Sequence, residues 1–200
     1  MEDKMPVFPG TRAPEFIDNC TIEKNGFNEK LLSLQSHTGT HIDAPFHIFS
    51  DGKSLSDFAL NAFCGKAICL EHTIENPLTT RHVNSIHNSL KKVDFVLIYT
   101  GWSQYWRTIR YFDAFPVPDT EVLNMLVSYQ LKGLGIDTIS VDQVKSEDLL
   151  NHRLLLGNDL IIIENLTNLR PLLNVVFDFF CFPLHINKGD GSPVRAVART

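Results

Sequence analysis

The chain lacks most of the features that mark specialised protein classes. No apolar run approaches the length needed to span a bilayer, so no membrane-embedded element is expected. The basic residues are scattered and the formal net charge is −5, which excludes the electrostatic footprint of a nucleic-acid-binding or membrane-surface protein. The four cysteines, Cys20, Cys64, Cys69 and Cys181, are dispersed and form no C-x-x-C pair. They read as free thiols in a reducing cytosol rather than as a disulfide framework or a thiolate metal site. The N-terminus shows no charged-then-apolar leader pattern, and the expected location is cytoplasmic. There is no internal repeat, low-complexity tract or linker. What remains is ordinary: 200 residues, 44% hydrophobic and 20% charged, suit one globular domain (1–200) with a sizeable core.

Against that plain background one stretch stands out. His37-Thr38-Gly39-Thr40-His41-Ile42-Asp43-Ala44-Pro45-Phe46-His47 holds three histidines and an aspartate within eleven residues. Nitrogen and oxygen donors at this density are the ligand types of a divalent transition-metal site. Side chains of an extended strand alternate faces, so His37, His41, Asp43 and His47, all odd-numbered, are expected to converge if the segment is extended. Gly39 would then leave room on that face for an ion or substrate, and Pro45 would mark a strand edge or end. A lone histidine is ordinarily a hydrogen-bonded core or surface residue. Four clustered polar groups are harder to place without a function, because each buried polar atom needs a partner.

The rest of the pattern alternates strands and helices. Residues 5–28 read as loops, and Leu31–Ser36 as a strand feeding the histidine motif. Strands are expected at Lys66–Glu71, Asp94–Thr100, Leu134–Val141, Asp159–Glu164, Phe177–Leu184 and Pro193–Ala198. Helices are expected over Thr79–Leu90, capped by Thr79 or Thr80; from Pro118 to a C-terminal Gly133; and from a Ser146 cap to Gly157. Strands interleaved with helices indicate an α/β domain.

Six blocks in fixed order resemble one family. They are Val7-Phe8-Pro9-Gly10, the histidine motif (HxGTHxDxPxH), Thr100-Gly101-Trp102, Gly135-Ile136-Asp137-Thr138-Ile139-Ser140-Val141-Asp142, the pair His152-Arg153 and Glu164-Asn165-Leu166, and Asp190-Gly191-Ser192-Pro193-Val194-Arg195. Together they run nearly end to end and are similar to the cyclase family of metal-dependent hydrolases, which includes bacterial-type kynurenine formamidases and isatin hydrolases. The resemblance implies a swivelling β/β/α fold with a barrel-like mixed sheet flanked by helices. It also implies a short strand ahead of Glu2–Pro6, expected to be missing here, which would leave a sheet edge unpaired.

The resemblance assigns roles residue by residue. His37, His41 and Asp43 match ligands of a first metal. His152 and Glu164 match those completing a second, with Asp43 and Glu164 bridging. His47 matches the catalytic acid/base. Glu164 stands where the isatin hydrolase branch has Gln, which favours the two-metal arrangement of the formamidases. Phe8 matches an aromatic of the substrate pocket where Trp is usual, and Arg12 stands where Asp is frequent. Ser140 and Asp142 are candidates for orienting a ligand histidine. Trp102, Tyr105 and Trp106 are expected to pack in the core, Asp190 and Arg195 to fix a C-terminal turn, and His72, His82, His87 and His185 to lie on the surface.

These implications amount to a hydrolase with one or two divalent ions per chain, Zn or Mn, acting on a small molecule. A homodimer or tetramer is implied. N-formylkynurenine leads as substrate. Hydrolysis of a cyclic amide, imide or lactone, or a binding protein without turnover, are the alternatives.

Overall fold

The apolar runs of the sequence become the inner strands of a mixed sheet, and the polar, Gly- and Pro-bearing segments become its turns and helices. The computed structural model describes residues 1–200. In chain order the elements are β1 (Glu15–Cys20), α1 (Ile22–Asn25), β2 (Glu29–Ser33), β3 (His41–Asp43), β4 (Cys64–Glu71), α2 (Thr80–Ser85), α3 (His87–Leu90), β5 (Phe95–Tyr99), α4 (Thr120–Val127), β6 (Gly133–Ile136), α5 (Leu150–Gly157), β7 (Ile161–Glu164), β8 (Val176–Phe180), β9 (Gly191–Pro193) and β10 (Val197–Arg199). Eight strands form the sheet in the order β10-β8-β4-β5-β6-β7-β3-β9, curled into a half-barrel. β4, β5, β6 and β7 run parallel, joined by helical crossovers. β3 lies antiparallel between β7 and β9. β1 and β2 pair only with each other, as a separate ribbon.

Burial follows strand periodicity. Even-numbered residues of the parallel strands (Ile68, Leu70, Val96, Ile98, Leu134, Ile136, Ile162) pack beneath Val83, Leu90, Leu123, Leu126 and Leu155 of the helical layer. Odd-numbered neighbours (Cys69, Phe95, Leu97, Ile161, Ile163) join Ile42, Phe177 and Phe179 in a core on the other face. A strand buried on both faces must be apolar at every position, which is why these segments read as continuous hydrophobic runs.

Several expected boundaries move. Residues 15–20, read as loop, form β1, and the strand expected at Leu31–Ser36 begins at Glu29 and ends at Ser33. The helix expected to reach Gly133 ends at Val127, and Gly133 opens β6. A Cβ there would lie 2.6 Å from Ile161 Cγ1, so this glycine serves strand packing rather than a helix terminus. The strand expected to reach Val141 stops at Ile136. The helix over Thr79–Leu90 is confirmed with Thr79 as its cap, but breaks at Ile86 into α2 and α3. His72 is buried, not superficial; its Nδ1 accepts the Leu78 N–H at 3.0 Å.

Candidate metal centre

The centre is assembled on β3. This strand has neighbours on both sides, so its facing is fixed: Ile42 enters the core while His41 and Asp43 share the opposite face. The register places Glu164, the last residue of β7, directly across from His41. Only three residues of the motif are extended, so the single-strand expectation fails in mechanism although the convergence it predicts occurs. His37 comes in through a turn at Gly39, whose φ is +66°. The Gly39 carbonyl accepts from His41 Nδ1 at 2.7 Å and from Asn165 Nδ2 at 3.0 Å. Gly39 thus makes a turn and an anchor, not a space for an ion. β3 ends before Pro45, and a short 3-10 turn from Pro45 carries His47 to the site.

His152 arrives from α5. Leu149, left-handed at φ +48°, begins that helix, and Asp142 caps it in place of the expected Ser146. The Asp142 carboxylate accepts from the backbone N–H groups of Asn151 and His152, both at 3.0 Å, and from His152 Nδ1 at 2.7 Å. Ser140 Oγ accepts the Asp142 N–H at 3.1 Å, so both residues hold the ligand candidate His152 in place, as expected.

The inner distances are short. His37 Nδ1 lies 2.6 Å from Asp43 Oδ1, and His41 Nε2 lies 3.2 Å from the same oxygen and 3.5 Å from Glu164 Oε2. His152 Nε2 is 3.4 Å from Glu164 Oε1 and 3.8 Å from Asp43 Oδ2. The His47 ring stands 4.0 Å from that of His37 and 5.9 Å from that of His152, centre to centre. All six, with Phe8, line one cavity of about 360 Å³ whose remaining wall includes Thr11, Ile139, Val144, Ser146 and Leu149. A second cavity, about 490 Å³ against Gly39, Trp106, Tyr111 and Asn165, contains none of these groups.

Electrostatics sort the histidines. Burial opposes charge on His37, but Asp43 and Asp190 outweigh it and raise its pKa to about 10. Burial likewise opposes charge on His152, and Asp142, Glu164 and Asp43 reverse the balance, again to about 10. His41 shifts upward for the same reason, burial being overcome by Asp43. Asp43 is held far below the usual carboxylate range; His41 and His37 outweigh its burial. His47 goes the other way, down to about 4, chiefly through lost hydration and then through His37 and His152, against Asp43. The cluster therefore stabilises positive charge at its centre and keeps a neutral imidazole at its rim.

The donor set fits a divalent cation. Asp43 Oδ2 is buried without a hydrogen-bond partner, a cost ordinarily removed by a cation or donor. His41 and His152 commit Nδ1 to outer acceptors, which leaves Nε2 directed at the carboxylates. Three triads could each hold an ion: His37, His41 and Asp43, and Asp43, His152 and Glu164, which share Asp43, and at the rim His37, His47 and Asp190.

The family profile described as "Putative cyclase" matches residues 1–143. The chain belongs to the cyclase family. A kynurenine formamidase of Geobacillus thermodenitrificans is 31% identical over 201 residues, spanning all of this chain and 93% of that protein. Among solved structures, an isatin hydrolase bound to the product analogue thioisatinate superimposes with a TM-score of 0.84 over 98% of this chain and 87% of that one, at 21% identity. A potential metal-dependent hydrolase with cyclase activity gives 0.79 over 99% and 92%, at 25% identity. The fold of this cyclase-family chain, a mixed sheet with helical crossovers, is that of these structures.

Sequence reasoning missed one site residue of this family member. Asp190, expected only to fix a turn, accepts from His37 Nε2 at 2.8 Å. Nothing in local spacing links positions 153 residues apart. Trp102 packs with Tyr111 and Phe115 as expected, away from the cluster, while Arg195 is exposed.

Proposed function

We propose that this chain is a metal-dependent hydrolase that cleaves the amide bond of an aryl formamide, with N-formylkynurenine, giving kynurenine and formate, as the leading substrate. The observation that carries this reading is the buried Asp43, unpartnered at Oδ2, between histidines and Glu164 at the floor of a cavity walled by Phe8. The formamidase relatives support the choice of bond. His37, His41 and Asp43 would hold one divalent ion, and Asp43, His152 and Glu164 would complete the site for a second; Zn and Mn both suit these ligands. When bound, such an ion supplies Lewis acidity and lowers the pKa of water from 15.7 toward about 7.

The chain's own groups then do the following. Asp43 and Glu164 offset positive charge at the centre. His47, neutral at physiological pH, accepts the proton of the attacking water at an imidazole nitrogen. It returns that proton to the amide nitrogen as the C–N bond breaks, since an unprotonated anilide leaves poorly. Phe8 stacks against the aryl ring, and the apolar wall of Ile139, Val144 and Leu149 limits bulk water.

Elemental analysis of protein purified without added metal or chelator, with a formamidase assay before and after chelation, tests the reading. Bound metal with chelator-sensitive turnover is expected. Absence of metal, with no uptake of added Zn or Mn, sinks it. The likeness to an isatin hydrolase puts isatin in the same assay; turnover of isatin alone would transfer the assignment to cyclic amides.

A further inference from the structure

Each imidazole at the floor of the cluster is held from outside. The Gly39 carbonyl holds His41 Nδ1, and the Asp142 carboxylate holds His152 Nδ1. His37 has an equivalent partner in Asp190. One nitrogen, Nδ1, meets Asp43 at 2.6 Å, and the other, Nε2, meets Asp190 Oδ2 at 2.8 Å. Asp190 is itself fixed: its Oδ2 accepts from Ser36 Oγ at 3.2 Å, and its carbonyl accepts the Ala44 N–H at 2.9 Å. The next residue, Gly191, pairs with Asp43 across β3 and β9. A Cβ at Gly191 would lie 2.6 Å from His37 Cε1, so the ring rests on bare backbone. His47 Nδ1 is 3.9 Å from Asp190 Oδ2, outside hydrogen-bond reach.

We infer that Asp190 is a positioning residue for the metal centre: with Gly191 as a flat seat, its carboxylate fixes the orientation and tautomer of His37, so that one imidazole nitrogen faces Asp43. The chemistry is that of a carboxylate–histidine–metal arrangement, in which the outer acceptor raises the basicity of the ligand nitrogen. The inference rests on the metal reading above. It places the C-terminal DGSPVR block, which no local pattern connects to the histidine motif, behind a ligand of that motif.

The test is Zn²⁺ affinity by competition with a chromophoric chelator, together with the visible spectrum of the Co²⁺ form, for wild type, Asp190→Asn, Asp190→Ala, Gly191→Ala and His41→Ala. Asp190→Asn and Asp190→Ala are expected to bind about 10–100-fold more weakly, with an altered Co²⁺ spectrum. Gly191→Ala, which pushes the same ring from a second direction, should do likewise, while His41→Ala loses binding. Wild-type affinity and spectrum in Asp190→Ala overturn the inference. So does loss of binding as complete as in His41→Ala, which makes Asp190 a ligand. Wild-type protein that takes up no metal refutes the metal reading itself, and this inference with it.

Discussion

Asp43 and His47 sit in the same eleven-residue motif, and both are driven to their unprotonated forms, for different reasons and with different charge. Asp43 is enclosed by His37 and His41 and stays ionised; His47 stands at the rim, with 30% of its side chain exposed, and stays neutral. A neutral imidazole next to a cation-stabilising cluster is suited to shuttle a proton and poorly suited to share the ion. Replacing His47 by Ala should therefore lower kcat by about 10²–10⁴-fold, the usual contribution of a general acid/base, while metal content by elemental analysis stays unchanged. Residual turnover near wild type would exclude His47 from the proton path. The side-chain types of this motif were legible in the sequence, because metal-binding donors at such density have few structural uses. Their convergence was legible too, but for a partly wrong reason: only His41 and Asp43 share a strand face, and Gly39 and the 3-10 turn from Pro45 bring in the other two.

At the scale of elements, α5 shows how one carboxylate can serve fold and site together. Asp142 caps the helix and grips the His152 imidazole, so Asp142→Ala should cost about 1 kcal/mol in chemical denaturation and weaken metal binding about 10–100-fold. If titration shows undiminished affinity, Asp142 is a helix cap only. The loop between β4 and α2 holds the second device. His72 accepts the Leu78 N–H, a pairing that needs the unprotonated Nδ1, and burial lowers its pKa. In the unfolded chain a histidine protonates near pH 6.5. Below that pH the unfolded state binds a proton that the folded state refuses, so the contribution of His72 shrinks as pH falls. The stability difference between wild type and His72→Asn, about 1–3 kcal/mol near neutrality from the orphaned Leu78 N–H, should narrow between pH 7 and 5 in urea titrations. A constant difference would mean that His72 is not titrating with unfolding. The grip of Asp142 on a ligand histidine was anticipated, but its capping of α5 and the buried role of His72 were not visible in sequence. A cap supplied from nine residues upstream, and a histidine whose partner is a backbone amide, leave no periodic trace.

For the whole molecule, the site couples distant segments. Ligand candidates come from the β3 motif, from α5 and from β7, and β9 closes behind His37. An ion bound by all of them ties the sheet together and adds RT ln(1 + [M]/Kd) to stability, about 4 kcal/mol at a thousandfold excess over Kd. At this chain length that corresponds to roughly 8–16 °C in Tm. Differential scanning calorimetry with and without chelator should show a shift of that order; coincident transitions would mean that no ion links these segments.

The sequence by itself determined the α/β class, the inner strands and the family. Apolar runs that must be buried on both faces allow few placements, and six ordered motif blocks leave little to chance. It also determined which donors could bind a metal, since that depends on side-chain chemistry alone. Tertiary structure decided the rest. Glu164 faces His41 because β3 pairs antiparallel with β7; Asp142 reaches His152 because the chain folds back before α5; Asp190 reaches His37 because β9 pairs with β3. These contacts join positions 10, 123 and 153 residues apart. Local propensity and spacing act over a few residues, whereas register across a sheet is set by the packing of the entire core.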